Sequence, residues 1–349
     1  MSNGLVTVIV PVCNAESYLE QCLESIIKQS YSNIEILCIN DGSVDGSSDI
    51  LRRYAENDNR VLVINSENKG VSSARNIALD QARGDFVIFV DADDWIDTDT
   101  INCVMKEVVI SDADVVIFSY ISERKRSSSI KHIFKSTQVF EENEVKEKIH
   151  RRFVGLQDFE LAQPEAADRL STVWGKLYGK NIIDSSKFTD LNEIGSYEDG
   201  LFNLEVFGRV RRAVYLDKPL YHYRRYNESS QTSVYRPSLF DQWQNLFEKM
   251  RLFLIENDLY EENSKALENR IALSIIGLGF NIDGSRMSFI EKSRAISNIL
   301  KSDIYKNAVS QLPLRCFPLH WAVFFGCAKY KLSCVLLFMI ELIKFLRGI

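Results

Sequence analysis

The chain has 349 residues, 46% of them hydrophobic, with 42 Lys and Arg against 48 Asp and Glu. That length allows one large domain or two smaller ones, and a net charge of −6 gives no support to binding nucleic acid over the whole surface. Seven widely spaced cysteines without a CxxC pair argue against a disulfide framework and a zinc site, and they suit a reducing, cytoplasmic setting.

The opening "MSNGLVTVIVPVCNAESY" has no positive n-region, so a secretory leader is not expected. Leu5–Val10 is a short β-branched run ended by Pro11 and reads as a buried strand. Leu19, Cys22, Leu23, Ile26 and Ile27 then recur at helical spacing. Ile34–Ile39 is a second strand, ending in the turn- and cap-rich "NDGSVDGSSD". Ile50, Leu51 and Tyr54 mark a helix face, and Val61–Ile64 a third strand. Ser72 is a candidate N-cap for the helix "SSARNIALDQA", which Gly84 follows. Phe86–Val90 is a fourth strand, leading into "DADDWI".

Strands alternating with helices over about 90 residues predict an α/β fold with a mostly parallel central sheet flanked by helices. Such sheets bind ligands beyond the C-terminal ends of their strands. Asn40 and Asp41 follow one strand and Asp91, Asp93 and Asp94 another, so both acidic groups fall on one edge. No glycine-rich phosphate loop accompanies them, so a diphosphate bound here needs another source of positive charge.

Thr100–Ser111 reads as a helix and Val115–Phe118 as a strand. Residues 122–152 carry nine Lys or Arg against five acids and read as a surface excursion on the acceptor side. "WGKLYGKNIID" reads as a strand-to-helix corner, and "YEDGLFNLEVFGRV" as an amphipathic helix with Leu201, Leu204 and Phe207 inward. Val214–Leu216 and Leu220–Tyr223 read as two strands separated by Pro219. Residues 240–311 are largely helical, with Leu246, Met250 and Phe253 on one face.

Asp91, Asp93 and Asp94 place three negative charges in four positions, which resist ionising together unless a cation offsets them. Oxygen ligands suit Mg²⁺ or Mn²⁺ bridging a diphosphate; the competing reading is that Asp93 or Asp94 caps the next helix. Asp41 reads either as an Asx turn or as a carboxylate accepting from a base imide or ribose hydroxyl. Glu198 and Asp199 form a second acidic pair at a helix start, where the dipole alone would favour them. His222, between two tyrosines, reads as a packed residue first and a metal ligand second.

Five segments in order resemble the family 2 glycosyltransferases of the GT-A fold, over about residues 5–235. They are "VTVIVPVCNAESYLEQCLESIIKQSYSNIEILCINDGSVDGS", "NKGVSSARNIALDQARGDFVIFVDADDWI", "WGKLYGKNII", "YEDGLFNLEVF" and "YHYRRYNESSQTS", the last as in bacterial surface-polysaccharide members. The resemblance implies that Asp41 contacts the base, usually uracil, with Arg75 near the nucleotide. Asp91 and Asp93 match the DxD motif, extended by Asp94, and would hold the ribose and the metal. Metal candidates are Asp93, Asp94 and His222, for Mn²⁺ or Mg²⁺. Asp199 would be the general base; Trp174, Lys176 and Glu198 fall on the acceptor side. Two departures stand out. Asn40 replaces an Asp common before "DGS", and Tyr197 stands where a Gly often precedes the "ED" pair.

The implied activity is inverting transfer of a sugar from a UDP-sugar to a saccharide or lipid-linked acceptor. The rivals are a sugar-phosphate nucleotidyltransferase, whose first strand–helix turn is usually glycine-rich where this chain has "PVCNAESY", and a non-catalytic nucleotide-sugar-binding protein. The expected division is a catalytic domain over 1–235, its nucleotide-sugar half at 1–120 and acceptor half at 121–235, then a helical region over 236–349. Residues 313–349 carry Arg315, Lys329, Lys331, Lys344 and Arg347 against Glu341 alone, among many large apolar side chains. The basic residues and Glu341 break up any run of about 20 apolar residues. The pattern predicts interfacial helices on an anionic membrane, at the inner face of the cell membrane; the alternative is a helix pair packed on protein.

Overall fold

The computed structural model describes residues 4–226 and 235–347. The chain divides into two compact units, one of residues 1–150, 170–191 and 198–228, the other of residues 151–169, 192–197 and 229–349. Residues 151–169 and 192–197, read from sequence as part of the acceptor half, thus group with the C-terminal helices.

The first unit is built on a ten-stranded sheet. β1 (Val6–Val12) is buried at all seven positions, and β2 (Ile34–Asp41) at all eight. A strand covered on both faces has no polar side to alternate with, hence the unbroken apolar runs. β1 lies between β2 and β4 (Phe86–Phe89), parallel to both, and β2 pairs in parallel with β3 (Val61–Ser66). The helices α1 (Leu19–Ile27), α2 (Ser47–Asn57) and α3 (Val71–Gln81) connect these strands. Beyond β4 the sheet becomes mixed. β9 (Lys176–Gly179) runs antiparallel between β4 and β6 (Val115–Arg124), and β10 (Arg212–Arg224) pairs in parallel with β6. The two-residue β5 (Trp95–Ile96) closes that edge against β10, and α4 (Thr100–Ser111) follows it. β7 (Ser127–Lys131) and β8 (Gln138–Glu141) pair with β6 and β10, so part of the basic excursion is an added ribbon.

The two short strands expected around Pro219 are one strand of 13 residues, β10. Proline donates no ladder hydrogen bond, and the register with β6 shifts on both sides of Pro219 before pairing resumes. The helix of the "YEDG" segment, Glu198–Phe207, is not one-sided: Phe202, Asn203, Leu204, Val206 and Phe207 are buried, while Leu201 is only half-buried.

The second unit is helical. Leu239–Glu256 turns Leu246, Phe247, Met250 and Leu254 inward, with Phe253 half-buried. It precedes the 24-residue helix Tyr260–Asp283. Ser288 and Glu291 form a capping box at the start of Phe289–Lys301, and Asp303–Gln311 follows. The last helices, Leu319–Lys329 and Ser333–Arg347, bury Trp321, Phe324, Phe325, Leu336, Leu337 and Ile340. A Cβ on Gly279 would sit 2.3 Å from Ile340 Cδ1, so a side chain there would displace the end of this isoleucine. Among the described residues, no helix is long and apolar enough to cross a membrane.

Candidate functional site

β2 ends at Asp41, which is buried. Its carboxylate accepts from the amides of Lys69 and Gly70 at 2.9 and 2.8 Å, fastening the entrance of α3. Gly42 turns the chain at φ +64°, and a Cβ there would meet the Asn68 amide at 2.8 Å. Asn40 ties the same corner together, donating to Ser48 Oγ and Asn65 Oδ1.

α3 carries the centre of the site. It begins after Gly70, so Ser72 lies in its first turn and is not the cap the sequence suggested. Arg75, one turn later, is buried. Its Nη2 donates to Asp91 at 3.0 Å and its Nη1 to Asp199 at 2.6 Å, with Glu198 3.7 Å from Nη1. The guanidinium also faces the Phe188 ring, 5.3 Å from its centroid. Burial works against the Arg75 charge, but Asp199, Asp91 and Glu198 outweigh it and hold the proton more firmly than usual. Arg75 Nε and Ser72 Oγ, three residues apart on one helix, are buried without a partner. Unsatisfied polar atoms of this kind are uncommon in folded proteins and suit a ligand that supplies the missing bonds.

Asp199 is reached from the far half of the unit. Its second oxygen accepts from the Val173 amide at 3.0 Å. Asn203, one turn on, donates to the carbonyls of Asp199 and Ser171 and accepts from Tyr178 Oη, locking the 170–173 loop to the helix start. Sequence reasoning passed over Asn203; the available signal was a polar side chain between Phe202 and Leu204. Burial is the main force raising the proton affinity of Asp199. Burial, then the Asp199 charge, push Glu198 up to about 7.

The "DADD" acids separate. Asp91 faces Arg75. Asp93 is half-buried, and its carbonyl accepts from Arg224 Nε at 2.6 Å. Asp94 is buried and turned onto β10, accepting from Tyr221 Oη at 2.8 Å and the Arg224 amide at 2.7 Å. Burial, then Asp91 and Asp93, raise its proton affinity well above the ordinary range. It anchors the turn, and its oxygens already serve protein donors. His222 is likewise engaged: Nδ1 faces Glu123 at 2.9 Å, Nε2 faces Asp97 at 3.1 Å, and the ring stacks on Trp95. Among the described residues, no group of three or more His, Cys, Asp or Glu is arranged to hold a metal.

Trp174 is buried and stacked between Tyr221 and Tyr223, with centroids 4.6 and 5.1 Å away. Lys176 is enclosed beneath it. Its Nζ donates to the carbonyls of Leu170 and Thr172, and burial lowers its pKa to about 7. Lys176 therefore braces the loop that presents Val173 to Asp199. The left-handed position before the acidic pair is Tyr197, at φ +74°. A bulky side chain there costs on the order of 1–3 kcal/mol, which explains why glycine is frequent at this place.

The sheet edge that gathers Asp41, Asp91 and the buried Glu198–Asp199 pair belongs to an α/β architecture of the GT-A kind. The fold agrees with the structure of Staphylococcus aureus TarS 1–349 in complex with UDP-GlcNAc, at TM-score 0.64 and 21% identity over 98% of this chain and 92% of that one. Residues 7–164 match the family described as Glycosyl transferase family 2. The chain is 32% identical to EpsH of Bacillus subtilis, over 95% of this chain and 93% of that one. It is 38% identical to glycosyltransferase GlyA of Streptococcus pneumoniae over 63% of this chain, spanning 30% of GlyA's length. The chain belongs to glycosyltransferase family 2.

Proposed function

We infer that this protein moves a sugar, with inversion, from a UDP-sugar to a hydroxyl of a saccharide or lipid-linked acceptor in surface-polysaccharide synthesis. The observation that carries the reading is one buried guanidinium, Arg75, bonded at once to Asp91 on the strand-end side and to Asp199 of the acidic pair. The UDP-GlcNAc and UDP complexes of TarS, a poly(ribitol-phosphate) β-N-acetylglucosaminyltransferase, support a uridine donor.

Asp41 and Asp91 bind the nucleoside, and Arg75 orients the acidic pair against the donor. Each Asp199 oxygen has one protein donor and keeps lone-pair capacity for an acceptor hydroxyl. Burial makes the carboxylate a better base than one in water. It takes the hydroxyl proton as the acceptor oxygen attacks the anomeric carbon and the C–O bond to the diphosphate breaks. With Asp94 committed to β10, Asp93 is the side chain of the DxD turn that would hold Mn²⁺ or Mg²⁺. One or two carboxylates completed by diphosphate oxygens are the usual Mg²⁺ arrangement, which fits the lack of a protein-only cage among the described residues. When bound, the ion neutralises charge on the departing diphosphate.

A peripheral place on an anionic membrane is supported by the last helix. Its inner side packs within the helical unit, while Val335, Phe338, Leu342 and Phe345, spaced three, four and three apart, are exposed beside Lys329 and Lys331. The activity reading is tested by thermal denaturation with a panel of nucleotide sugars, with and without Mn²⁺. A UDP-sugar at 100 times its dissociation constant should stabilise the fold by about 2.7 kcal/mol, and less after chelation. No shift with any donor would overturn it.

A further inference from the structure

The helical unit encloses a cavity of about 220 Å³ that the mechanism does not use. At ~30 Å³ per water it has room for about seven waters, a ring-sized ligand and not an extended chain. Its lining is largely apolar, with Tyr197, Trp243, Phe247 and Trp321 supplying aromatic surface. The Trp243 indole donates to Ser196 Oγ at 2.9 Å and lies over Gly277, where a Cβ would come within 2.5 Å of the ring. Trp321, buried, forms another part of the lining.

Arg270 and Tyr197 also line it. Arg270 is buried, donates to Val154 O, Asp168 Oδ1 and Tyr197 Oη, and lies 3.9 Å from the centroid of the Tyr197 ring. Tyr197 Oη in turn donates to Phe153 O. Three contacts thus hold a tyrosine at a left-handed backbone position where glycine would be relaxed. The rim carries two exposed acids, Glu165 and Asp168. Flat aromatic faces suit the C–H face of a pyranose, and rim carboxylates suit its hydroxyls. Asp168 is paired with Arg270, which leaves the exposed Glu165 to disfavour a uronate or a phosphate.

We propose that this cavity binds a neutral pyranose unit of the acceptor saccharide. The proposal rests on the reading of the chain as a transferase acting on a saccharide, and Tyr197, directly before Glu198 in the chain, is its positioning residue. Donor recognition needs none of the cavity residues.

The test is fluorine NMR on the full chain labelled with 5-fluorotryptophan, its four signals assigned by single Trp→Phe variants. The probes are methyl β-D-glucoside, N,N′-diacetylchitobiose and glucuronic acid. The two neutral probes should move the Trp243 and Trp321 signals and leave those of Trp95 and Trp174 in place, with glucuronic acid at least roughly tenfold weaker. Ala167→Phe, which fills the cavity, should abolish the response. Should that variant fail to fold, Asp168→Ala at the exposed rim should weaken it several-fold. Silence of the Trp243 and Trp321 signals up to tens of millimolar in both neutral probes overturns the proposal, as does an undiminished response in a folded Ala167→Phe. Movement of both signals without transfer to any acceptor supports the cavity and faults the activity reading instead.

Discussion

At the residue scale the chemistry turns on Asp199. Both of its oxygens accept from fixed donors, Arg75 Nη1 and the Val173 amide. In Asp199→Asn one of these meets an amide NH₂ instead of an acceptor. Two effects should follow together: kcat for transfer falls by about 10²–10⁴ while donor affinity holds, and stability drops by about 1–3 kcal/mol. Single-turnover kinetics and denaturant titration measure the two separately, and near-normal kcat would move the base to Glu198. The pair also sets a pH dependence. Glu198 is raised to about 7, so it is neutral in acid and ionises as pH rises through neutrality. The acceptor kcat/KM should climb through this range with an apparent pKa belonging to the pair, and Glu198→Gln should remove that limb from the profile. "YEDG" pointed to these two acids, but it could not say that a distant arginine joins them to Asp91. That contact spans 124 positions in the chain.

The bracing of the acceptor-side loop belongs to the element scale. β9 delivers Lys176 into the interior, where its ammonium caps the carbonyls of Leu170 and Thr172. Its folded pKa, about 7, lies below the ordinary lysine value. The unfolded chain therefore binds more protons between about 7 and 10.5, and this group adds stability as pH rises through that window and loses it as pH falls through 7. Wild type minus Lys176→Met should gain up to about 1.4 kcal/mol per pH unit there, read by urea titration at several pH values. A flat difference would mean that the lysine reaches water. The DxD turn is a second element-scale case. Asp93→Ala should weaken donor binding and its response to Mn²⁺, whereas Asp94→Asn should chiefly destabilise the turn held to Tyr221 and Arg224. Equal effects on metal response in calorimetry would return Asp94 to the ligand set.

For the whole molecule, the C-terminal helices have two sides with different fates. Leu336, Leu337 and Ile340 are core, so deleting the tail would unfold what it covers. Phe338→Glu with Phe345→Glu changes only the exposed stripe. We expect the double variant to keep its melting temperature and lose co-sedimentation with anionic liposomes; unchanged sedimentation would mean that the stripe is not the contact.

The sequence by itself determined the strand–helix alternation, the strand-end acids and the family, because these rest on local periodicity and on short motifs. It also carried the α4 bounds and the corner at β9. The rest was decided in three dimensions. Asp91 and Asp94 look equivalent along the chain, yet one faces Arg75 and the other Tyr221 and the Arg224 amide, since a turn sends nearby side chains in different directions. His222 meets Glu123 and Asp97, partners 99 and 125 positions away. Lys176 reads from sequence only as an acceptor-side residue; that its ammonium turns into the core appears once β9 is placed between β4 and β6. Burial and long-range pairing fix which charges meet, and neither is a property of any local stretch of sequence.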